Sequence, residues 1–463
     1  MLAKHKIFVR EKENEMGKLV EQYIEIAKKR NPGEPEFIQT VEEVLTSIEP
    51  VLEAHPEYIE AGLIERLIEP ERCISFRVPW VDDNGKVQVN RGYRFEFNSA
   101  IGPYKGGLRF APNVYPGIIK FLGFEQIFKN SLSGLPIGGG KGGADFDPNG
   151  KSDAEIMRFC QAFMSELYRH IGPATDVPAG DLGVGAREIG YLFGQYKKLT
   201  NRYEGVLTGK GLTFGGLAGR TEATGYGIVF FAREMLKHCG KELAGMTVAT
   251  SGFGNVTWGT VQKLNQLGAK VITISGPDGY IYDPDGVTPG EKEDYLLELR
   301  ASGKNICAPY AEKFPSATFY PGKKPWEVKA DLYIPCATQN EIHLEDAKTM
   351  VANGCKFLCE GSNMPTTNEA IEYLKENGVV IGPSKAANAG GVSCSCIEMG
   401  QNAGHTVFSP EQVYQQLETI MINIHKAAAD ACERYGLEYD LVAGANIAGF
   451  ERVAEAMMAQ GIV

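Results

Sequence analysis

The sequence predicts an α/β protein of two domains: a mixed N-terminal α/β domain, then a domain of βαβ units around a parallel sheet. Three observations predict it. The chain has 463 residues, enough for two to three domains at ~150 residues each. Beyond about residue 216, apolar strand-like runs alternate with helical stretches, as parallel sheets require. Before that point, period-two and helical patterns are mixed.

The elements follow in order. Residues 14–30 and 35–54 are charged amphipathic stretches, the second with Phe37, Val41, Val44, Leu45, Ile48 and Leu52 at helical spacing. Cys73–Val78 and Lys86–Asn90 alternate every two residues around Asp82–Gly85, a hairpin signal. Residues 113–132 and 152–171 read as helices, the second opened by a Ser152–Glu155 capping box. The stretch 200–220, with Thr208–Gly216 rich in glycine, is the expected hinge. Helix 224–239, strand 246–251, a glycine turn at 252–254, helix 255–267 and strand 270–275 form a βαβ unit. Strands are expected again at 331–335, 356–359 and 378–382, and helices at 410–434 and 446–459.

Composition narrows the function. The 47 basic and 58 acidic residues leave a net charge of −11, against a general nucleic-acid or anionic-membrane binder. The 55 glycines exceed the usual ~7% while the 24 prolines do not, which fits close backbone approaches rather than disorder. The ten cysteines are scattered, and a core this large needs no disulfide framework. Residues 1–20 lack an apolar signal core and no apolar run approaches 18 residues. The expected compartment is the cytoplasm, with no membrane partner. Cys355/Cys359 and Cys394/Cys396 have no matching partner pairs, so no metal is expected.

Gly252-Phe253-Gly254-Asn255-Val256-Thr257 follows an apolar strand and opens a helix. The first glycine permits the tight turn and the second lets backbone reach a pyrophosphate at the helix N-terminus. This predicts a Rossmann-type nucleotide site, weakened by Thr257 where Gly or Ala is usual, which should push helix and strand slightly apart. Ser275, Pro277 and Asp278 end the next strand, where the ribose is read. The loop carries Asp278, Asp283 and Asp285 and no basic residue before Lys292. A 2′-phosphate would want Arg or Lys there, so NAD is favoured over NADP. The bland alternative is a solvated acidic loop. Trp258 is read as packing.

Lys105-Gly-Gly107 and Gly138–Gly143, which contains Lys141, flank a helix bearing Lys129. Neither is a Walker loop. Lysines walled by glycines can sit at backbone level in a cleft and bind carboxylates. Converging lysines repel one another, so the most buried should be depressed toward neutrality and become a usable base. The alternative is a set of separate surface loops. Asp181, in a cramped glycine turn, is expected to have a raised pKa and to shuttle protons. Asp176 is read as a turn or cap residue, and Arg109 as a salt-bridge partner rather than a substrate ligand.

Over nearly the whole length, the chain resembles the small hexameric glutamate dehydrogenases of the Glu/Leu/Phe/Val dehydrogenase family. The carrying segments are Pro103–Phe110, Phe121–Lys129, Pro136–Gly143, Asp176–Asp181, Arg220–Gly227, Asn363–Thr367 and Lys385–Val392. The resemblance implies that Lys141 activates water at the imine carbon and that Asp181 shuttles protons to the substrate nitrogen. It implies Lys129, Gln126 and the Gly180 backbone at the α-carboxylate, and Lys105 and Ser395 at the γ-carboxylate, with Asn388 and Val392 beside them. Thr224 and Asn255 would position the nicotinamide end, with Ala337 and Asn363 nearby. L-glutamate, 2-oxoglutarate and ammonium are the implied ligands and a homohexamer the implied assembly. Relatives acting on leucine, valine or phenylalanine have apolar groups where Lys105 and Ser395 stand. Phe253 and Pro277 fit NAD-linked members, while Ser275 leaves dual cofactor use open. The other alternative is a catalytically silent binding homologue, against which Lys141 and Asp181 are intact. No long insertion precedes the last helices, so purine-nucleotide control of the larger animal type is not expected. Domain I is expected at 1–215 plus 440–463, binding substrate and building the oligomer. Domain II is expected at 216–439, binding nucleotide, with a cleft between the two.

Overall fold

The structure, a computed structural model, describes residues 17–303 and 305–463; residues 14–16 of the first expected helix lie outside them. Two compact units divide the chain. Unit 1 runs to Leu217 and takes in Ser395–Phe408 and Asn446–Val463, and unit 2 comprises Ala218–Cys394 and Ser409–Ala445.

In unit 1, residues 17–30 are helical. The stretch read as one helix over 35–54 is two, Pro35–Ser47 and Glu49–Ala54. Pro50 breaks it, having no N–H to donate and a ring that crowds the preceding turn. A five-stranded sheet follows: β1 (Arg72–Val81), β2 (Val87–Asn98), β3 (Tyr104–Phe110), β4 (Gly138–Ala144) and β5 (Asp176–Gly180), in the order β1-β2-β4-β3-β5. β1 and β2 are the expected hairpin, and the Asp82 carboxylate accepts the Asn84 and Lys86 amides across the turn, both at 2.9 Å.

β3, β4 and β5 are strands where the sequence reads cleft loops, turns or caps. Gly138–Ala144 is buried throughout, antiparallel to β2 and parallel to β3. Glycine has poor strand propensity because it brings no side chain to pack. The ladders on both sides supply what propensity does not. Helix Pro116–Leu132 packs on β4, and Asn130 Nδ2 pins it by donating to the carbonyls of Lys105 (2.9 Å) and Gly138. Helix Asp153–Leu167 has the predicted capping box and stops four residues short of the expected 171. Behind the sheet, Phe110, Phe146, Phe159 and Phe163 are all buried, and Phe146 stacks on Phe159 at 3.7 Å. Each such side chain contributes about 1.5–3 kcal/mol, so the sheet that carries the site rests on a rigid base.

Unit 2 holds a seven-stranded sheet: β6 (Thr247–Thr250), β7 (Lys270–Gly276), β8 (Gly279–Tyr282), β9 (Thr318–Pro321), β10 (Leu332–Ile334), β11 (Phe357–Cys359) and β12 (Val380–Gly382). The order is β12-β11-β10-β6-β7-β8-β9. The five strands from β12 to β7 are parallel as expected. β8 and β9 are antiparallel additions that the sequence reading passes over. They are four residues each, too short to show a period.

The segment 395–408 also departs from the expected boundary, which left 216–439 in one piece; it packs in unit 1. Buried Glu398 explains why. Its carboxylate pairs with Lys210 Nζ at 2.8 Å and accepts the Gly209 amide at 2.9 Å, and Asn402 donates to the Gly215 carbonyl at 2.7 Å. Among the described residues, no helix is long and apolar enough to cross a membrane.

Candidate active site

The chemistry of unit 1 is mounted on strands and on two helices. Lys105 lies on β3 opposite Gly139 of β4 and Val177 of β5. It is fully buried, and its ammonium donates to the Val177 carbonyl and the Thr208 hydroxyl, each at 2.8 Å. Thr208 was not singled out from sequence, although it stands in the glycine stretch that was. Ser395, buried on helix Gly390–Ala403, belongs to the same unit. Lys129 and Gln126 are half-buried on helix Pro116–Leu132, and Gln126 Nε2 donates to Asn130 Oδ1 at 2.6 Å.

Lys141 and Asp181 meet. Lys141 Nζ stands 3.0 Å from Asp181 Oδ2, and Arg109 Nε donates to that same oxygen at 3.0 Å. Asp181 follows Gly180 at the end of β5. A Cβ on Gly107 would lie 2.8 Å from both the Asp181 Cβ and the Gly180 carbonyl oxygen, so only glycine lets the carboxylate come in across β3.

The electrostatics correct two expectations. Burial does push the Lys141 ammonium down, and Arg109 and Arg94 push in the same direction while Asp181 pulls it up. The repelling cations are thus arginines, not the other lysines. Asp181 was expected to have a raised pKa. Burial does act to raise it, but Lys141 and Arg109 outweigh burial and hold the carboxyl well below the usual range. In the free chain it is an ionised partner, not a proton reservoir. Asp176 is also not a cap. It is a fully buried strand residue whose two oxygens receive Arg94 Nε, at 2.7 Å, and Arg94 Nη2. Arg109 behaves as the salt-bridge partner it was read to be.

The chemistry of unit 2 is mounted on loops at the carboxyl ends of strands. β6 is flanked by β7 on one side and β10 on the other, which makes its end the switch point where open α/β sheets bind ligands. Gly252 turns there with φ +89°, a left-handed conformation that favours glycine. Its amide donates to Ser275 Oγ at 2.8 Å. Gly254 and Asn255 are exposed at the start of helix Asn255–Gln266, with Val256 half-buried behind them. An exposed first turn with its amides off the sheet end fits a dinucleotide pyrophosphate. Phe253 is buried, held by Trp258, whose Nε1 donates to the Phe253 carbonyl at 3.1 Å and whose ring stands edge-on at 5.7 Å. Thr257, the departure from the fingerprint, is buried and donates its hydroxyl to the Ser251 carbonyl at 3.0 Å.

The acidic loop is less open than the sequence suggests. Asp283 is buried, paired with Lys292 at 2.6 Å and accepting the Tyr310 hydroxyl at 2.7 Å. Asp278 accepts the Cys307 and Ala308 amides, each at 2.9 Å. Pro277 is exposed beside it. Arg300, missed because it lies beyond the loop in sequence, donates to Asn255 Oδ1. Elsewhere in unit 2, Asn388 Nδ2 donates to Asn363 Oδ1 at 3.0 Å. Thr224 and Val392 are half-buried, and Ala337 is exposed after β10.

Known proteins share this arrangement. Residues 215–461 match the family described as Glutamate/Leucine/Phenylalanine/Valine dehydrogenase, and residues 70–198 match its dimerisation domain. The NAD-specific glutamate dehydrogenase of Clostridium symbiosum is 61% identical over 96% of this chain and 100% of its own length. An NADP-specific glutamate dehydrogenase of Haemophilus influenzae is 54% identical over 94% of this chain and 96% of its own. A solved glutamate dehydrogenase superposes with a TM-score of 0.95 at 60% identity, covering 96% of this chain and 100% of that one.

Proposed function

The chain belongs to the glutamate/leucine/phenylalanine/valine dehydrogenase family, and on that premise we propose how its residues divide the work of oxidising glutamate. The reaction is the reversible oxidative deamination of L-glutamate to 2-oxoglutarate and ammonium, with NAD as the cofactor. Bound NAD supplies the acceptor for the hydride that leaves Cα.

Lys105 and Ser395 hold the γ-carboxylate, and Lys129, Gln126 and the Gly180 backbone hold the α-carboxylate. Both Lys105 and Ser395 are buried, and an apolar side chain against them would leave a desolvated cation facing hydrocarbon at a cost of several kcal/mol. That supports glutamate over leucine, valine or phenylalanine. Asn388 and Val392 complete the substrate groups. Gly252, Phe253, Gly254, Val256, Ser275, Pro277 and Asp278 carry the adenosine and pyrophosphate half of the dinucleotide. Thr224 and Asn255 carry the nicotinamide half, with Ala337 and Asn363 nearby.

Loss of hydride from the neutral amine leaves an iminium at Cα. Lys141, pushed toward its neutral form by burial, removes a proton from the water that attacks this carbon. Lys141 hands that proton to Asp181, 3.0 Å away, which passes it to the nitrogen and leaves Lys141 neutral again. Collapse of the resulting alcohol, with Lys141 taking the hydroxyl proton, releases ammonia. The low pKa of Asp181 in the free chain is compatible with that duty because it depends on its neighbour. When Lys141 gives up its proton, the strongest influence holding Asp181 down is removed and its basicity rises.

The observation that carries this reading is the buried Lys141–Asp181 contact at 3.0 Å with Arg109 on the same oxygen. The test is Lys141→Ala, followed by NADH formation from L-glutamate and by direct NAD binding. Turnover should fall by about 10⁴-fold with NAD affinity retained; near-normal turnover would remove Lys141 from the chemistry. The matched dimerisation domain supports self-association. We propose the homohexamer as the assembly and the cytoplasm as the compartment.

A further inference from the structure

Where β6 and β10 end, their loops meet beside one buried acidic side chain. The two strands are parallel neighbours, with Ile334 opposite Thr250. Immediately beyond them, the Cys336 amide donates to Ser251 Oγ at 2.9 Å. A Cβ on Gly252 would lie 2.9 Å from the Cys336 carbonyl oxygen, so the loops touch at backbone distance. Glu341, only 2% exposed, reaches into this junction. Its Oε1 accepts the Ala337 amide at 3.0 Å, and the Ser251 hydroxyl and the Thr338 amide are placed to favour its charged form. Lys324 Nζ bonds the Glu341 main-chain carbonyl at 2.8 Å rather than its carboxylate.

A buried carboxylate is costly unless several donors converge on it. Here they come from both sides of the switch point: Ser251 from the β6 side, Ala337 and Thr338 from the β10 side. A dinucleotide at such a crevice straddles those two sides, adenosine over β6 and β7, nicotinamide over β10. We propose that Glu341 is a positioning residue for the nicotinamide half: it fixes the Ala337–Thr338 loop against Ser251 and so sets the width of the crevice. It need not touch the cofactor. The inference rests on the dinucleotide reading given above. Burial places its carboxyl at about 7, in keeping with a group held by neutral donors rather than by a cation.

Removing the carboxylate leaves the Ala337 amide without its acceptor and frees the loop. The adenosine half is held elsewhere, at Ser275–Asp278, and the substrate groups Lys105, Lys129 and Ser395 lie in unit 1. The loss should therefore be confined to one half of one ligand.

The test measures NAD and ADP-ribose binding by calorimetry on the full-length assembled protein, with KM for NAD and for glutamate alongside. In Glu341→Leu the Kd for NAD should rise about tenfold, with ADP-ribose within about twofold and KM for glutamate unchanged. Glu341→Gln retains an acceptor for Ala337 and should recover most of the NAD affinity, which keeps the inference testable if the leucine variant does not assemble. Unchanged NAD binding in both variants would overturn it. So would an equal loss of NAD and ADP-ribose, which marks general damage to unit 2. Wild-type protein that binds neither ligand would instead overturn the dinucleotide reading.

Discussion

The two sheets hold their functional groups in opposite ways. In unit 1, Lys105, Lys141 and Asp176 are strand residues and Asp181 directly follows one. They are side chains, held by ladders and by buried ion pairs. In unit 2 the Gly252 turn, Pro277–Asp278 and Ala337 lie on loops beyond strand ends, and much of what they offer is backbone. On the assignment proposed above, the difference follows from the ligands. A small dicarboxylate must be gripped by cations at fixed spacing while charge develops at Cα, which demands rigid, preorganised side chains. A pyrophosphate can be met by amides at a helix start, which demands only that a turn keep its shape.

The comparison can be broken at its strongest point first. If unit 1 depends on buried charge pairs, Asp176→Asn should leave Arg94 as an uncompensated cation and cost about 3–5 kcal/mol. Thermal unfolding of the variant should begin well below that of the parent. A transition within a degree would mean that the pair is not what holds β5 to the sheet. A smaller effect is expected where unit 2 depends on turn shape. Ser275→Ala removes the acceptor for the Gly252 amide, worth about 1–3 kcal/mol when the donor stays buried. KM for NAD should rise by about tenfold while KM for glutamate holds. Equal changes in both would show that the turn is not specific to nucleotide.

A third effect is a slope. Glu96, buried on β2, has its carboxyl pushed from 4.5 up to about 7, by burial first and by Asp176 second. Because its folded pKa lies above the unfolded value, the native state binds the extra proton. Its penalty is absent below about 4.5, grows as pH rises and levels off above about 7. Glu96→Gln should match the parent at pH 4.5 and unfold at a higher temperature at pH 8. A constant offset across that range would rule out titration of Glu96 as the cause.

Some of this was legible from sequence alone. The βαβ unit, the Gly252 turn, the Ser152 capping box and the β1–β2 hairpin were all read from a few neighbouring residues each. The glycine-rich strands were not, because Gly138–Gly143 carries no side-chain period and β4 exists only through its neighbours β2 and β3. The pair Lys105 and Lys141 was visible as an anomaly, lysines collared by glycines. Arg94, Arg300 and Glu341 were not, since nothing near them in sequence marks them out, and Thr208 was visible only as part of a glycine stretch.

Local sequence thus determined the helices and the patterned strands, the nucleotide turn and, by resemblance, the family. The tertiary structure alone decided the charge states. Arg109 lies 72 residues from Asp181, and Arg94 lies 82 from Asp176. Turn shape and helix caps are set by bonds reaching a few residues, whereas a pKa is set by whatever charges and burial surround the group in space. That is why the sequence could identify Asp181 yet misjudge the direction of its pKa shift, and why the same carboxylate, expected to have a raised pKa in a cramped turn, is held ionised between a lysine and an arginine.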